Sequence, residues 1–194
     1  MPPAPSIRLI APDTSSAVLV GYSGGVDSTV LLHLLASDTA IRSRGLRALH
    51  VHHGLQPDAD LWADHCLRIC GSLDIDCEIA RVMVERDSGL GTEAAARQAR
   101  RAVFARILHA GETLALAHHR DDQAETFLLR ALRASGPDGL ASMRPWRDFA
   151  GGWLWRPLLG TPRADLLAYA RTHSLNWIED PSNADTAHDR NFIR

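Results

Sequence analysis

The sequence predicts an α/β fold, in which a Rossmann-like parallel sheet carries helices on both faces. Short apolar runs alternate along the chain with segments of helical periodicity. The length of 194 residues suits one such domain, and a hydrophobic content of 45% supplies its core. Because parallel strands need a crossover between them, strands separated by helices predict a parallel sheet built through right-handed connections.

The elements alternate regularly up to residue 133. The predicted strands are 17–20, 46–51, 77–84 and 113–117, and the predicted helices are 26–36, 57–73, 93–109 and 121–133. Residues 146–158 predict a hairpin that turns at Gly151-Gly152. Thr161 and Pro162 predict a last helix, with Thr as N-cap and Pro as first helical residue. Residues 1–194 are expected to form one domain, with 135–194 as an alternative small appendage.

Composition excludes several classes of protein. No apolar run reaches the length of a membrane span, and residues 1–12 lack the layout of a signal peptide. The three cysteines are odd in number and form no C-x-x-C pair, which indicates reduced thiols. We therefore expect a cytoplasmic protein with no membrane partner. The net charge of −2 gives no global sign of nucleic-acid binding.

A Gly-rich segment between the first strand and the first helix predicts phosphate binding. Its backbone N–H groups converge ahead of a helix N-terminus, and two adjacent glycines allow φ > 0 and close approach of an anion. A carboxylate here indicates Mg²⁺ shared with a nucleotide, because phosphate alone would repel it. The alternative is a plain strand–helix turn. The candidate residues are Ser23, Gly24, Gly25, Val26, Asp27 and Ser28.

Two familiar phosphate motifs are excluded for this segment. Its spacing is not that of a Walker loop, and the chain contains no lysine at all. It is not G-x-G-x-x-G either, and no acidic residue stands where a ribose-binding partner is expected.

Polar side chains gather where other predicted strands end. His50 and His52 point to one side of the second strand, where they either border a nucleotide or face solvent. His118 ends the fourth strand. Asp122 and Glu125 share one face of the next helix, so they could hold an ammonium or a metal, or simply stabilise the helix dipole. Because ligands of such sheets bind beyond the carboxyl ends of the strands, these groups predict a single site.

Arginines are concentrated on the predicted helix 93–109. Arginine suits phosphate better than lysine does, so this helix is a candidate phosphate contact. A solvated helix face is the alternative. The helix carries Arg97, Arg100, Arg101 and Arg106.

Several motifs together resemble the tRNA(Ile)-lysidine synthetase family of PP-loop (N-type) ATP pyrophosphatases. The segment Ser-Gly-Gly-Val-Asp-Ser at 23–28 is the mark of the superfamily. The more specific matches are His-Val-His-His-Gly-Leu at 50–55, Glu-Ala-Ala-Ala-Arg-Gln-Ala-Arg at 93–100, His-His-Arg-Asp-Asp-Gln-Ala-Glu-Thr at 118–126, Arg-Pro-Leu-Leu at 156–159, and Asp-Pro-Ser-Asn with Arg-Asn-Phe-Ile-Arg at 180–194. Their order and spacing make chance matches implausible. The resemblance implies an adenine nucleotide alpha hydrolase-like fold.

The resemblance also implies a reaction. ATP would activate the C2 oxygen of the wobble cytidine in tRNA(Ile) with a CAU anticodon, releasing pyrophosphate. Free L-lysine would then attack C2, so that lysidine forms and AMP leaves. ATP and Mg²⁺ are the implied cofactors, and a homodimer is left open.

Residue roles follow from the same resemblance. Residues 23–28, with His50 and His52, would bind ATP and pyrophosphate, while Asp27 would also bind Mg²⁺. Asp27 and His118 would be catalytic, and His118 would contact the reacting phosphate. The remaining roles are lysine binding by Asp122 and Glu125, and tRNA or phosphate contacts by Arg97, Arg100, Arg190 and Arg194.

The chain departs from the family in two respects. Ala134 stands where the family usually has Gly, in a loop. Family members continue into C-terminal domains that help to bind tRNA, whereas this sequence ends at Arg194, so we expect those domains to be absent. Two alternatives to the ligase remain: a related PP-loop tRNA thiolase, which would favour paired cysteines, and a non-catalytic ATP-binding module.

Overall fold

The strands and helices alternate as the sequence predicts. A computed structural model describes residues 7–10, 15–83, 91–132 and 143–179. The strands are β1 Val18–Gly21, β2 Leu46–His52, β3 Asp76–Arg81, β4 Thr113–Ala115, β5 Trp146–Phe149 and β6 Gly152–Trp155. The helices are α1 Val26–Ser37, α2 Thr39–Arg44, α3 Ala59–Ser72, α4 Thr92–Ile107, α5 Arg120–Leu132 and α6 Arg163–Thr172. None of these helices is both long and apolar enough to cross a membrane.

All the described strands belong to one sheet, in the order β3-β2-β1-β4-β6-β5. Pairing is parallel from β3 through β6, and β5 runs antiparallel to β6 at the edge. The predicted α/β fold and the predicted hairpin are therefore confirmed. The hairpin turns at Ala150 and Gly151, with φ +50° and +78°, rather than at Gly151-Gly152, because Gly152 already pairs in β6. The parallel register brings the carboxyl ends of β1, β2, β4 and β6 to one edge of the sheet.

Each face of the sheet buries its own apolar cluster, as predicted for helices on both faces. On one face, α1, α3 and α6 bury side chains that include Leu31, Cys66 and Leu166 against the sheet. On the other face, α4 packs Val103 and Phe104 against β1, β4 and the hairpin. Side chains alternate along a strand, so neighbouring residues of β6 serve opposite clusters.

Two local predictions need correction. The short helix α2 was not predicted; it forms because the Asp38 carboxylate accepts hydrogen bonds from the N–H groups of Ala40 and Ile41. The last helix begins at Arg163, and Pro162, with ψ 145°, is its N-cap rather than its first helical residue. The prediction that Thr161 caps this helix is therefore wrong.

A buried ion pair ties β2 to the segment that leads into β4. Arg47 donates through Nε to Oε1 of Glu112 at 2.8 Å and through a terminal nitrogen to Oε2 at 2.7 Å. Glu112 is 4% exposed and also accepts from the N–H of His109. Burial raises the pKa of Glu112, but the bonds from Arg47 and His109 outweigh it and hold the pKa below 4.5.

We expect Glu112→Gln to lower the free energy of unfolding by about 3 kcal/mol, because it removes the buried charge partner of Arg47 and leaves only the more distant, exposed Glu78 at 3.8 Å. The folded pKa of Glu112 lies below its unfolded value. The stabilisation is therefore present above about pH 4.5 and is lost as the pH falls through the folded pKa. Urea denaturation at several pH values measures this. Asp74→Asn, in an exposed pair with Arg42, is the control and should cost less than about 1 kcal/mol.

Candidate active site

Hydroxyl groups hold the loop between β1 and α1 in shape. Ser23 Oγ lies 3.0 Å from Ser28 Oγ, and Ser28 Oγ donates to the carbonyl of Gly25 at 3.0 Å. Thr29 Oγ1 donates to the same carbonyl at 3.0 Å. Gly25 is the N-cap residue of α1 and has no side chain to cap it. The first N–H groups of α1 and the positive end of its dipole therefore face the space above the loop, where an anion can bind.

The two loop glycines serve different purposes. Gly24 has φ +85°, and a Cβ there would lie 2.5 Å from Cδ1 of Ile178. Its carbonyl accepts a hydrogen bond from the N–H of Ile178 at 2.9 Å, so the segment after α6 packs against the loop. Gly25 has φ −73°, so the expectation of positive φ at this residue is wrong. A Cβ at Gly25 would meet only Ser23 Oγ, at 3.6 Å, which leaves room for close approach of a ligand.

Asp27 belongs to a cluster of charged groups centred on His119. Nε2 of His119 lies 3.6 Å from Oδ2 of Asp27 and 3.5 Å from Oδ2 of Asp122. Its Nδ1 lies 3.6 Å from Oδ2 of Asp121. The imidazole is 3% exposed, so it is enclosed by carboxylates from α1 and α5.

The protonation of His119 follows from these neighbours. Burial by itself lowers the pKa of His119, but the hydrogen bond and charge of Asp27 oppose this effect. The charges of Asp122 and Asp121 act in the same direction as Asp27, and the resulting pKa is raised above 6.5. His119 thus neutralises part of the negative charge at this edge of the sheet.

The same cluster joins α5 to α6. Asp121 Oδ2 accepts a hydrogen bond from the N–H of Arg163 at 2.9 Å and so supplies the cap that Pro162 lacks. The N–H of Arg120 donates to the carbonyl of Thr161 at 3.0 Å. Arg163 Nε lies 4.0 Å from Oδ1 of Asp27. These contacts fix the start of α6 beside the phosphate-binding loop.

His118 faces a different neighbour from His119. Arg156, which is 7% exposed, donates from Nε to Nδ1 of His118 at 3.2 Å and from a terminal nitrogen to the carbonyl of Arg144 at 2.8 Å. Because guanidinium has no acceptor, Nδ1 of His118 must carry the lone pair. The neutral ring then bears its proton on Nε2.

His50 and His52 are both buried, so solvent exposure does not explain them. Nδ1 of His50 donates to the carbonyl of Tyr22 at 3.0 Å and lies 3.3 Å from the sulfur of Cys66. Burial, together with the charges of His52 and Arg100, lowers the pKa of His50. His50 therefore adjoins the loop as a neutral ring, whereas His52 contacts Asp60 at 3.1 Å, away from it.

Asp122 and Glu125 lie on the inward side of α5. Asp122 accepts a hydrogen bond from the N–H of His119 at 2.9 Å, which fixes its carboxylate at the start of the helix. Glu125 is 5% exposed. Asp122 therefore belongs to the His119 cluster with Asp27, and Glu125 lies about one turn further along α5.

The four arginines proposed as phosphate contacts divide into three groups. Arg100 lies near His50 and His53, and its charge helps burial to lower the pKa of His53 to about 4. The charge of Arg97 instead helps to lower the pKa of Arg147 and of Arg156. Arg190 and Arg194, like Ala134, lie outside the described residues.

Sequence reasoning missed the central position of His119. It selected His118 of the adjacent pair, whereas the structure places His119 among the carboxylates and His118 against Arg156. Arg163 and Arg147 were missed as well. Strand β4 ends at Ala115, so strand alternation no longer fixes where two histidines beyond it point.

The fold and the loop define a nucleotide-binding class, and the family comparison agrees. The family model described as PP-loop domain matches residues 5–194, and the chain belongs to this family. Over 91% of its length, the chain is 70% identical to the tRNA(Ile)-lysidine synthase of Xanthomonas axonopodis pv. citri. It is 61% identical over 94% to that of Xylella fastidiosa (strain Temecula1) and 50% identical over 93% to that of Escherichia coli O157:H7. The chain spans 40% to 42% of the length of these relatives.

Solved structures share the fold. The U34-tRNA thiolase NcsA from Methanococcus maripaludis, solved with its [4Fe-4S] cluster, superposes with a TM-score of 0.76 at 18% identity, over 95% of this chain and 66% of that one. The NH3-dependent NAD synthetase from Campylobacter jejuni gives 0.52 at 16% identity, over 84% and 66%. At such identities the likeness concerns the fold alone.

We expect His119→Gln to destabilise the protein more at about pH 6 than at about pH 9. The folded pKa of His119 is raised, so its stabilisation is complete below about pH 6.5 and is lost as the pH rises through the folded pKa. Denaturant titrations across this range measure the difference. His33→Gln is the control, because burial and His173 lower the pKa of His33 and reverse the trend. Parallel pH profiles for the two variants would contradict the assignment.

We expect the ¹⁵N spectrum of the His118 ring to show a protonated Nε2 and an unprotonated Nδ1 at about pH 7.5, because Arg156 donates to Nδ1. Arg156→Met should remove this bias and give a mixture of tautomers. A wild-type spectrum with the proton on Nδ1 would contradict the proposed direction of the hydrogen bond.

Proposed function

We propose that the protein is an enzyme, a tRNA(Ile)-lysidine synthase, that uses ATP to join free L-lysine to C2 of the wobble cytidine in tRNA(Ile) with a CAU anticodon. The observation that carries the proposal is the meeting of the uncapped start of α1, Asp27 and the α5 carboxylates at one sheet edge. The identity of 50% to 70% with proteins of that name supports it.

The first step would be adenylation. The C2 oxygen of the cytidine attacks the α-phosphorus of ATP, and the bond to the β-phosphate oxygen breaks, so pyrophosphate leaves. The loop 23–28 binds the phosphates through backbone N–H groups, and Gly25 permits their close approach. His118 donates from Nε2 to the reacting phosphate, because Arg156 occupies its other nitrogen.

A magnesium ion fits beside Asp27. Oδ1 of Asp27 is buried and has no hydrogen-bond partner among the described residues, whereas Oδ2 faces His119. Within the part of the chain that the structure describes, no group of three or more His, Cys, Asp or Glu side chains is placed so that it could hold a metal ion by itself. Mg²⁺ commonly takes one or two carboxylates together with phosphate oxygens and water, which matches a single Asp at a phosphate loop. When bound, the ion offsets charge on the departing pyrophosphate.

The second step would be attack by lysine. The lysine ε-ammonium first loses a proton to water. The resulting amine attacks C2, the bond from C2 to the adenylated oxygen breaks so that AMP leaves, and the attacking nitrogen loses a second proton to water. Asp122 and Glu125 hold the lysine as an ammonium before it reacts. Their inward placement on α5 lowers the local dielectric, which strengthens attraction for a cation.

Three coarser features complete the proposal. We infer that residues 1–194 act as one catalytic domain; the described residues 143–179 support this, because β5 and β6 complete the sheet and α6 packs on α1. Cys66, Cys70 and Cys77 are free thiols, which supports a location in the cytoplasm. The thiolase alternative is not favoured, because the relatives of 50% identity or more carry the synthase name.

Mass spectrometry of tRNA(Ile) incubated with the protein, ATP, Mg²⁺ and lysine tests the function. We expect a lysine-dependent mass gain at the wobble cytidine and release of AMP. An unchanged cytidine would contradict the proposal. Pyrophosphate release without lysine measures the first step separately.

Two variants separate the proposed roles. We expect Asp27→Asn to slow pyrophosphate release about 100-fold or more, because it weakens charge stabilisation in the transition state. Glu125→Gln should leave pyrophosphate release within about threefold of wild type but raise the KM for lysine about 10-fold or more, because a charged hydrogen bond is lost. Asp64→Asn, on the exposed side of α3, is the control. Equal effects of Glu125→Gln on both steps would contradict lysine binding by Glu125.

A further inference from the structure

Four arginines meet between α4 and the β5–β6 hairpin, on the opposite face of the sheet from α1. Arg97 and Arg101 lie on α4, Arg147 on β5, and Arg156 directly after β6. Arg147 shares a strand face with Phe149, whose ring lies 5.3 Å from the guanidinium carbon of Arg101. Phe149 belongs to the apolar cluster that α4 covers. We call these four residues the arginine groove.

Within the described part of the chain, no carboxylate forms an ion pair with the groove arginines, although Asp148 of β5 lines the depression beside Arg101. Burial lowers the pKa of Arg147, and the charges of Arg101 and Arg97 lower it further. Burial and the other three arginines lower the pKa of Arg156 to about 10. Among the described residues, none of the four guanidinium groups pairs with a carboxylate within 4.0 Å.

The polar atoms of the groove are also incompletely satisfied. Nε of Arg147 is buried and has no hydrogen-bond partner in the described structure. A buried donor without an acceptor is costly, and so is the proximity of like charges. A bound anion would remove both costs, since guanidinium groups pair well with phosphate.

The position of the groove identifies the source of the phosphate. The start of α1 and its loop already face the nucleotide site, on the other side of the sheet. The arginines are spread over three elements rather than directed at one point. Arg156 contacts His118. A depression of about 570 Å³ lies beside Arg101 and Phe149. A single RNA strand, with one phosphate for each nucleotide, fits such an arrangement.

We propose that the arginine groove binds successive backbone phosphates of an RNA strand and guides the target base to His118. The inference rests on the proposed function for the identity of the RNA, but RNA binding can be measured without ATP or lysine. Arg156 would contact the RNA and also orients His118, whereas Arg101 and Arg147 would contact the RNA alone.

The test is the affinity of the protein for a fluorescent RNA hairpin with a CAU loop, measured by anisotropy at several salt concentrations. The double variant Arg101→Gln/Arg147→Gln should raise the Kd about 10-fold or more. The slope of log K against log salt should fall by about 1.4, since each lost contact to a single strand removes about 0.7. ATP affinity, measured without RNA, should not change.

Two matched double variants control for charge and folding. Arg68→Gln/Arg171→Gln removes the same charge from exposed positions outside the groove and should leave the slope unchanged. Arg101→Lys/Arg147→Lys should retain most of the slope, because lysine still neutralises phosphate. A cooperative thermal transition near that of wild type shows that each variant folds.

Each outcome decides the proposal. An unchanged RNA Kd and slope in Arg101→Gln/Arg147→Gln would overturn it, as would a loss of ATP affinity with RNA binding intact, or a wild type that binds no RNA. If the wild type binds RNA through the groove but forms no lysidine, the proposed function fails and the groove stands. If Arg101→Gln/Arg147→Gln forms lysidine and binds RNA as the wild type does, the groove fails alone.

Discussion

The arrangement of the candidate site depends on one buried imidazole. His119 separates Asp27 of α1 from Asp121 and Asp122 of α5, three carboxylates that would otherwise repel one another at short range. Its raised pKa is the electrostatic consequence of that position. Through Asp121 the same cluster caps α6, so one side chain orients the phosphate-binding helix, the carboxylate-bearing helix and the last helix. The geometry of the edge follows from this charge balance.

The two faces of the sheet carry different parts of the candidate site. The loop and α1 lie over one apolar cluster, and α4 with the arginine groove lies over the other. Because β1, β4 and β6 run parallel, the ends of all three meet at one edge. His118 stands at that edge beside Arg156, between the two faces. Under the proposed function, a nucleotide and an RNA strand approach from opposite sides of the sheet and meet beside the carboxylates of α5.

Sequence patterns predict the backbone of this protein better than its side-chain partners. Alternating apolar runs and helical segments predicted the parallel sheet, and the adjacent glycines predicted the hairpin with its turn misplaced by one residue, because these signals are local. The position of His119 depends on contacts between α1 and α5, which no local pattern contains. The sequence did not predict that Asp121 caps α6, because this contact too joins separate elements. Predicting the position of Arg147 would have required knowledge of the strand pairing that places β5 opposite α4.

The bond between Gly24 and Ile178 has a consequence for how the protein becomes competent during synthesis. Gly24 leaves the ribosome early, but the N–H that its carbonyl accepts lies beyond α6, almost at the end of the described chain. The loop between β1 and α1 therefore gains this hydrogen bond only after nearly all of the described chain has emerged. A nascent chain that already contains β1 and α1 should remain unable to retain a nucleotide. Emergence of the segment after α6 thus completes the backbone hydrogen bonding of the loop for which ATP binding is proposed.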